Sequence, residues 1–231
     1  MRQVEEFSDD RNKGFCVHCG GPYETDDHMP SKVFLDRPYP ENLSISPSCN
    51  KCNNSFSIDE EYLACILECI VCGDTNPKAL ERSKISQRLE KSSKLSAMID
   101  RCRRIENGQV LWDVDQRRVR KVIVKLARGH TSFELAEPRL EEPDEYLSKP
   151  IDVLTSEELA RFENVSNIEF TAWPEVGSRA MSRALIVGNE VYSEGWLVVQ
   201  ESRYKFRTMQ QNGVTVQIIL RDYLACEVVW N

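Results

Sequence analysis

The sequence lacks both an export signal and an apolar run long enough to cross a membrane. Its first ten residues, MRQVEEFSDD, hold no basic flank followed by an apolar stretch, which is the pattern of a signal peptide. The longest apolar stretches, around residues 63–72 and 197–199, are interrupted or far shorter than the roughly 20 residues of a membrane helix. We therefore expect a cytoplasmic protein without a membrane partner.

The chain also lacks the net positive charge that is common in nucleic-acid-binding proteins. Its 231 residues, enough for one large or two small domains, carry a formal net charge of −7. The charge is uneven, because residues 76–130 carry 15 lysines and arginines against 6 acidic residues, whereas 1–75 and 131–231 each have a net charge of −8. Such a segment forms either solvated helix faces or a surface for DNA phosphates. The candidate DNA contacts in this segment are Arg117, Arg118 and Lys121.

Nine cysteines are present, and four of them form two close pairs. In a chain without an export signal, this usage indicates metal binding rather than disulfides. Thiolates at C-x-x-C spacing can close a tetrahedral zinc site that leaves no position open for catalysis. The alternatives are buried apolar thiols and a zinc finger without catalytic function. The predicted zinc ligands are Cys16, Cys19, Cys49 and Cys52.

Groups suited to a second kind of metal lie between and beside the cysteine pairs. Asp27, His28 and Asn53 supply a carboxylate, an imidazole and an amide. These groups are poor ligands for a soft thiolate cage, but oxygen donors suit Mg²⁺ or Mn²⁺. An imidazole, whose ordinary pKa lies near neutrality, can accept a proton from water. The pattern therefore predicts a hydrolytic metal site beside a structural zinc.

The order of these motifs resembles that of HNH endonucleases with a ββα-metal fold. The resemblance rests on CVHCG at 16–20, DHMP at 27–30, PENL at 40–43 and CNKCN at 49–53. The following SIDEEYL at 57–63 resembles a bacterial subset of stand-alone HNH proteins. The similarity covers roughly the first seventy residues, about a third of the chain.

The resemblance implies a metal-dependent nuclease that hydrolyses phosphodiester bonds in DNA. The three letters of the family would be His28, Asn42 and Asn53, with His28 as the general base. Asn42 would orient the imidazole, and Asp27 and Asn53 would ligate one Mg²⁺ or Mn²⁺ ion. Lys32 would contact phosphate. The resemblance also suggests bacterial restriction or defence against phage as the setting.

Several alternatives stay open at the level of sequence. The chain could be a non-catalytic zinc-bearing module that recognises nucleic acid or protein. Within the enzyme interpretation, RNA is a second candidate substrate, because such a site grips phosphates rather than bases. A regulatory protein partner and a homo-oligomer are further options.

The sequence predicts an α+β protein in three parts. Residues 1–75 would form the zinc-stapled ββα-metal domain, 76–130 a basic helical region, and 131–231 a mainly antiparallel β domain of unknown role. Because adjacent strand residues face opposite sides, we expect a bend or loop at Asp27 and His28. The predicted elements before residue 131 are a zinc knuckle and β-hairpin over 15–34 with Asp27 and His28 on its first strand, a loop over 35–48, helices over 49–72, 78–104 and 115–129, and a strand over 110–114.

The carboxy-terminal part becomes strand-like after residue 170, and the turn Asn212-Gly213 indicates antiparallel pairing. The predicted elements are a loop over 138–150, a capped helix from Thr155, and strands over 184–187, 195–199, 204–208 and 215–220, with a last strand that ends at 230. The residues predicted to serve packing rather than chemistry are Trp173, Trp196, Trp230, His130, Cys65, Cys69 and Cys72.

Overall fold

The amino-terminal elements follow one another in the order β-β-α. Strand β1 (Thr25–Met29) pairs antiparallel with β2 (Ser44–Ser48), and helix α1 (Asn50–Cys72) begins directly after Cys49. The structure is a computed structural model that describes residues 10, 13–41, 43–163, 178–179, 195–210 and 213–231. No helix within these ranges is both long and apolar enough to cross a membrane.

The described residues fall into two compact units. One comprises residues Met1–Asn54 and Ile123–Asn231, and the other comprises Ser55–Val122. The mixture of helices and antiparallel sheets confirms the α+β class. The division into parts at 75 and 130 stays a prediction.

The second strand of the hairpin lies outside the segment that the sequence indicates. β2 falls within 35–48, so the predicted loop is wrong at its carboxyl end, and the hairpin is not closed within 15–34. Pro47 sits in β2 opposite Asp26, and its carbonyl accepts a hydrogen bond from the Val17 N–H at 3.0 Å. Proline is tolerated at the edge of a sheet because its missing N–H leaves no pairing unsatisfied there.

Helix α1 confirms the prediction for residues 49–72, and its buried face includes Tyr62, Ile66 and Cys69. Ile58 lies one helical turn before Tyr62, and three-to-four spacing predicts it on the same face, but it is 69% exposed. Burial in this helix begins at Glu60, so the apolar period does not extend to its first turns.

The unit Ser55–Val122 replaces one predicted helix with two helices and a strand. Helices α2 (Ser83–Lys91) and α3 (Ser93–Cys102) meet at Ser92, whose hydroxyl accepts a hydrogen bond from the Leu95 N–H at 3.4 Å. A serine at this position caps the second helix and ends the first. The single helix over 78–104 is therefore wrong.

Strands β3 (Arg103–Glu106) and β4 (Gln109–Trp112) then form a two-stranded hairpin. The predicted strand over 110–114 corresponds to β4. Its partner β3 is not predicted: two of its residues fall at the end of the predicted helix over 78–104, and Arg103–Glu106 has no alternating apolar pattern. Asn107 and Gly108 both have positive φ angles, 51° and 79°, as a two-residue type I′ turn requires.

Helix α4 (Gln116–His130) confirms the predicted helix over 115–129. Asp115 caps it, since one carboxylate oxygen accepts from the backbone N–H groups of Arg117 and Arg118 at 3.1 and 3.4 Å. Its apolar residues at three-to-four spacing are all buried: Val119, Val122, Ile123 and Leu126.

A five-stranded antiparallel sheet forms the carboxy-terminal part, in the order β5-β9-β8-β7-β6. The loop predicted over 138–150 is partly wrong, because residues 145–150 pair with the last strand of the chain. The predicted strand over 184–187, Trp173 and Asn212 lie outside the described residues, whereas Trp196 and Trp230 are buried as predicted. The strands are β5 (Glu145–Pro150), β6 (Leu197–Gln200), β7 (Tyr204–Gln210), β8 (Val214–Leu220) and β9 (Leu224–Trp230).

Helix α5 (Ser156–Glu163) begins with the predicted capping box. The Thr155 hydroxyl accepts from the Glu158 N–H at 3.2 Å, and the Glu158 carboxylate accepts from the Thr155 N–H at 2.9 Å.

His130 has a packing role, as predicted. Its side chain is fully buried, its Nε2 lies 2.7 Å from the Tyr204 hydroxyl, and its ring stacks on Phe206 with centroids 3.7 Å apart. Burial, helped by the positive charge of Lys125, lowers the pKa of His130 to about 3. The folded protein therefore keeps this imidazole neutral at pH values where an unfolded chain would protonate it.

His130 should make stability fall as the solution is acidified below pH 6.5. The unfolded state binds one more proton than the folded state between the two pKa values, so the free energy of unfolding drops by up to about 1.4 kcal/mol per pH unit from this group. We expect His130→Gln, whose amide can still reach the Tyr204 hydroxyl, to flatten the dependence by that amount. Urea unfolding at pH 7, 6 and 5 measures both slopes, and equal slopes would contradict the assignment.

Candidate metal centre and active site

The first cysteine pair lies in a tight knuckle that precedes β1. The Cys16 N–H donates to the Gly21 carbonyl at 2.7 Å, and the Gly20 N–H donates to the Cys16 carbonyl at 2.8 Å. Gly20 has a φ of 71°, a left-handed conformation that glycine adopts without steric cost. The turn folds the Cys19 thiol back towards the Cys16 thiol.

The second pair lies at the start of α1. The Cys52 N–H donates to the Cys49 sulfur at 3.4 Å, and the Asn53 N–H donates to the Cys49 carbonyl at 3.0 Å. Cys49 thus lies at the N-cap position, directly before the first residue of α1, and the first turn brings the Cys52 side chain next to its own. This arrangement follows directly from C-x-x-C spacing across a helix start.

The four thiols of the two pairs converge on one point, as predicted. Their sulfur atoms all lie within 4.8 Å of one another, and the Cys19 and Cys49 sulfurs are 3.8 Å apart. Zn–S bonds of about 2.3 Å in a tetrahedron place sulfurs about 3.8 Å apart, so the cluster fits a zinc ion. Among the described residues it is the one group of cysteine, histidine and acidic side chains with such geometry.

The protonation of these thiols depends on their neighbours. Burial raises the pKa of Cys16, but backbone hydrogen bonds involving Cys49, His18 and Cys19 outweigh it and lower the value to about 7. Burial and the adjacent thiols raise the pKa of Cys52. Four thiolates at this separation repel one another strongly, and a divalent cation is what removes that repulsion.

Two further cysteines of α1, Cys65 and Cys69, serve packing, as predicted, whereas Cys72 is half-buried. Cys65 and Cys69 are fully buried, and burial raises the pKa of each to about 12. They do not belong to the four-thiol cluster.

Substitution of Cys19 isolates the metal contribution, because this side chain is exposed and its loss leaves no cavity. We expect wild-type protein to contain one zinc per chain, and Cys19→Ser to lose it and to unfold about 10 °C lower. The matched control is Cys72→Ser, a half-buried cysteine outside the cluster, which should keep its zinc. Elemental analysis and thermal unfolding give the two readouts, and equal zinc contents in both variants would refute the zinc assignment.

His28 and Asp27 lie next to each other on β1, with opposite environments. The strand is regular, since Asp27 faces Ser46 and His28 faces Ile45 in an unbroken register, so the expected bend or loop at this pair is wrong. Asp27 is buried, whereas His28 is half-buried. The alternation of a flat strand alone is enough to separate the two side chains.

The imidazole of His28 has a lowered pKa. Partial burial is the main cause, and the positive charge of Lys32 is the next. His28 is therefore neutral at pH 7, which is the state that a general base requires.

The Asp27 carboxylate is held by an internal cation, Lys125, that is not among the site residues predicted from the sequence. One of its oxygens lies 2.8 Å from the Lys125 ammonium and 3.5 Å from His18 Nε2, and Lys125 also donates to the Ser31 hydroxyl at 2.8 Å. Burial raises the pKa of the Asp27 carboxyl, but the contacts with His18 and Lys125 leave it below its ordinary value. Lys125 is only 1% exposed, so the pair is desolvated on both sides.

One signal in the sequence points to Lys125. It lies among the apolar positions of α4, between Val124 and Leu126, where a solvated lysine is not expected. Ser31 and Lys125 are 94 residues apart, so no local pattern identifies the partner.

The Lys125–Asp27 pair should matter more for stability than the partly exposed Lys121–Asp59 pair of the same helix. Removing one member of a buried pair leaves an uncompensated charge, so we expect Lys125→Met to cost about 3 kcal/mol. Lys121, whose side chain is 43% exposed, pairs with Asp59 at 2.7 Å, and Lys121→Met should cost about 1 kcal/mol or less.

Chemical denaturation of the two variants measures the difference. The double variant Asp27→Asn/Lys125→Met should lose less stability than the sum of its single variants, because both charges are then absent. Additive losses would show that the two groups do not interact.

Three further residues are predicted for the site: Asn53, Lys32 and Asn42. Asn53 is half-buried in the first turn of α1, and Lys32 lies 5.9 Å from the ring centroid of Tyr39. Asn42 lies outside the described residues. The roles of all three as base partner, metal ligand or phosphate contact stay predictions.

Two of the three predicted DNA contacts are used within the protein. The Arg118 guanidinium donates to Asp59 at 2.6 Å and to the Ile58 carbonyl at 3.0 Å. The Lys121 ammonium donates to the other Asp59 oxygen at 2.7 Å and to the Ser55 carbonyl at 2.9 Å. Arg117 is exposed at the start of α4. Contact of these residues with DNA stays a prediction, and the first two have a structural role in joining α4 to α1.

Comparison of the chain with known protein families, curated proteins and solved structures gives no significant match. The similarity to HNH endonucleases therefore rests on the motifs and on the four-thiol cluster.

Proposed function

We propose that this protein is a metal-dependent HNH endonuclease that hydrolyses phosphodiester bonds in DNA. One observation carries the proposal: the strand that holds His28 lies between the two cysteine pairs and is followed by β2 and then α1. The family resemblance implies this ββα order, with one thiol pair before the first strand and the other at the start of the helix.

The proposed base is His28. Its lowered pKa keeps the imidazole free to take a proton from the attacking water at neutral pH. Its half-buried position leaves one part of the ring open to solvent and to a substrate. Asn42 would hydrogen-bond the imidazole and fix its orientation.

A hydrolytic ion would be held by oxygen atoms of Asp27 and Asn53. Carboxylate and amide oxygens suit Mg²⁺ or Mn²⁺, which would polarise the phosphate and stabilise the leaving oxygen. Lys125 already neutralises part of the Asp27 charge, so an ion at Asp27 would share that carboxylate with an ammonium. The zinc would be purely structural, because four thiolates fill its coordination sphere.

The second candidate function is a zinc-bearing module that recognises nucleic acid or protein without cleaving it. The Lys125–Asp27 contact favours it, because a carboxylate paired with an ammonium is a weaker ligand for a metal ion.

Bacterial restriction or defence against phage is the proposed setting for the nuclease. Self-association or a regulatory protein would then control its activity.

A plasmid-nicking assay separates the two functions. We expect cleavage that requires added Mg²⁺ or Mn²⁺, and at least about a 100-fold loss of rate in His28→Ala, as removal of a general base costs. Asn53→Ala should raise the metal concentration needed for half-maximal rate. The matched control is Asp26→Asn, an exposed carboxylate on the same strand, which should cleave at the wild-type rate.

Circular dichroism and zinc content must be unchanged in His28→Ala for its loss of rate to count. DNA binding without cleavage across Mg²⁺, Mn²⁺ and several DNA and RNA substrates would sink the nuclease proposal and favour the recognition module. Cleavage of RNA alone would keep the chemistry and change the substrate.

A further inference from the structure

The β3–β4 hairpin is exposed along nearly its whole length. Every residue from 104 to 111 is exposed, including three large apolar side chains. Ile105 is 67% exposed and Val110, which lies directly opposite it, is 40% exposed. The third is Leu111 at 38%, and its partner in the register is Arg104.

A two-stranded ribbon with uncovered apolar residues is marginally stable in water, so such a ribbon usually gains from a partner. Alternation places Arg103, Ile105, Val110 and Trp112 on one face. That face therefore combines a guanidinium, two aliphatic side chains and an indole.

The arginines of this hairpin differ from Arg118 of α4 in having few internal partners. Among the residues that the structure describes, the Arg103 side chain has neither an ion pair nor a hydrogen bond, and its Nε is buried without a partner. Arg104 approaches Asp113 only at 3.9 Å, and both side chains are mostly exposed. Arg101, on the last turn of α3, donates to the carbonyl of Ala97 but to no carboxylate.

Charge identifies the kind of partner. Three arginines fall within four residues, at 101, 103 and 104, and the hairpin itself contains one acidic residue, Glu106. Arg118 and Lys121 both form ion pairs with the carboxylate of Asp59. The arginines at 101, 103 and 104 form no such close ion pair among the described residues, so their charges remain available to a polyanion. A two-stranded ribbon has the width of the DNA major groove.

We propose that the β3–β4 hairpin is a DNA-binding ribbon with its Ile105–Val110 face towards the groove. Arg103 would contact a phosphate from that face, and Arg104 would contact a flanking phosphate from the opposite face. The proposal rests on the proposed action on DNA and moves the principal contacts away from Arg118 and Lys121. Phosphate contacts supply affinity without sequence information, so the ribbon would hold duplexes of any sequence.

The test is fluorescence anisotropy with a labelled 20-base-pair duplex and the full-length, zinc-containing protein, without added divalent ions. We expect Arg103→Gln/Arg104→Gln to bind at least about tenfold more weakly and its salt slope to fall by about two. The control Lys78→Gln/Lys94→Gln removes the same charge from exposed positions of the same unit and should change affinity less than about twofold.

A second variant guards against misfolding. Arg103→Lys/Arg104→Lys keeps the charge, so it should restore most of the affinity if the contacts are to phosphates. Unchanged binding by the glutamine pair overturns the proposal. So does a dimer that dissociates on Ile105→Asp while DNA affinity stays at the wild-type value, because the hairpin would then join two copies of the chain.

The outcomes for the hairpin and for the nuclease are separable. DNA binding that depends on Arg103 and Arg104, without cleavage under any metal, supports the ribbon and contradicts the nuclease. Cleavage that depends on His28, with normal DNA affinity in the glutamine pair, supports the nuclease and overturns the ribbon.

Discussion

The convergence of four sulfur atoms is the constraint on which the amino-terminal site depends. Their mutual distances of at most 4.8 Å bring a knuckle before β1 to the first turn of α1. The chain between the two cysteine pairs, which includes the strand of His28, is therefore a loop whose two ends the cluster holds together. A small ββα element has little core of its own, so a metal at the thiols would supply much of the energy that holds it folded.

A second, electrostatic constraint acts on the buried face of β1, which carries Asp27. The buried ammonium of Lys125 joins Asp27 and Ser31 to α4, and His18 of the knuckle contacts the same carboxylate. Desolvation of the two charges offsets much of the attraction between them, so the pair adds little net stability. Separating the charges inside the protein is unfavourable, however, so the pair restricts how β1 and α4 can pack. The strand that presents His28 is therefore held by sulfur chemistry at one end of the element and by charge along its buried face.

Short-range patterns were sufficient for much of the fold. The cysteine spacing located the cluster, the apolar period located α4, and Thr155 with Glu158 located the start of α5. The failures arose where distant segments decide the structure. Strand β5 exists because it pairs with the last strand of the chain, and Lys125 finds Asp27 through tertiary packing. The site residues were predicted from motif order, while the cation that holds one of them had no local signature.

We expect the four thiols to form one zinc centre that organises the site. X-ray absorption at the zinc edge of the purified protein tests it directly, because the sulfur shell can be counted. We expect one zinc per chain surrounded by four sulfur atoms at about 2.3 Å. A shell of nitrogen and oxygen atoms, or a protein whose thiols pair as disulfides and hold no zinc, would contradict it.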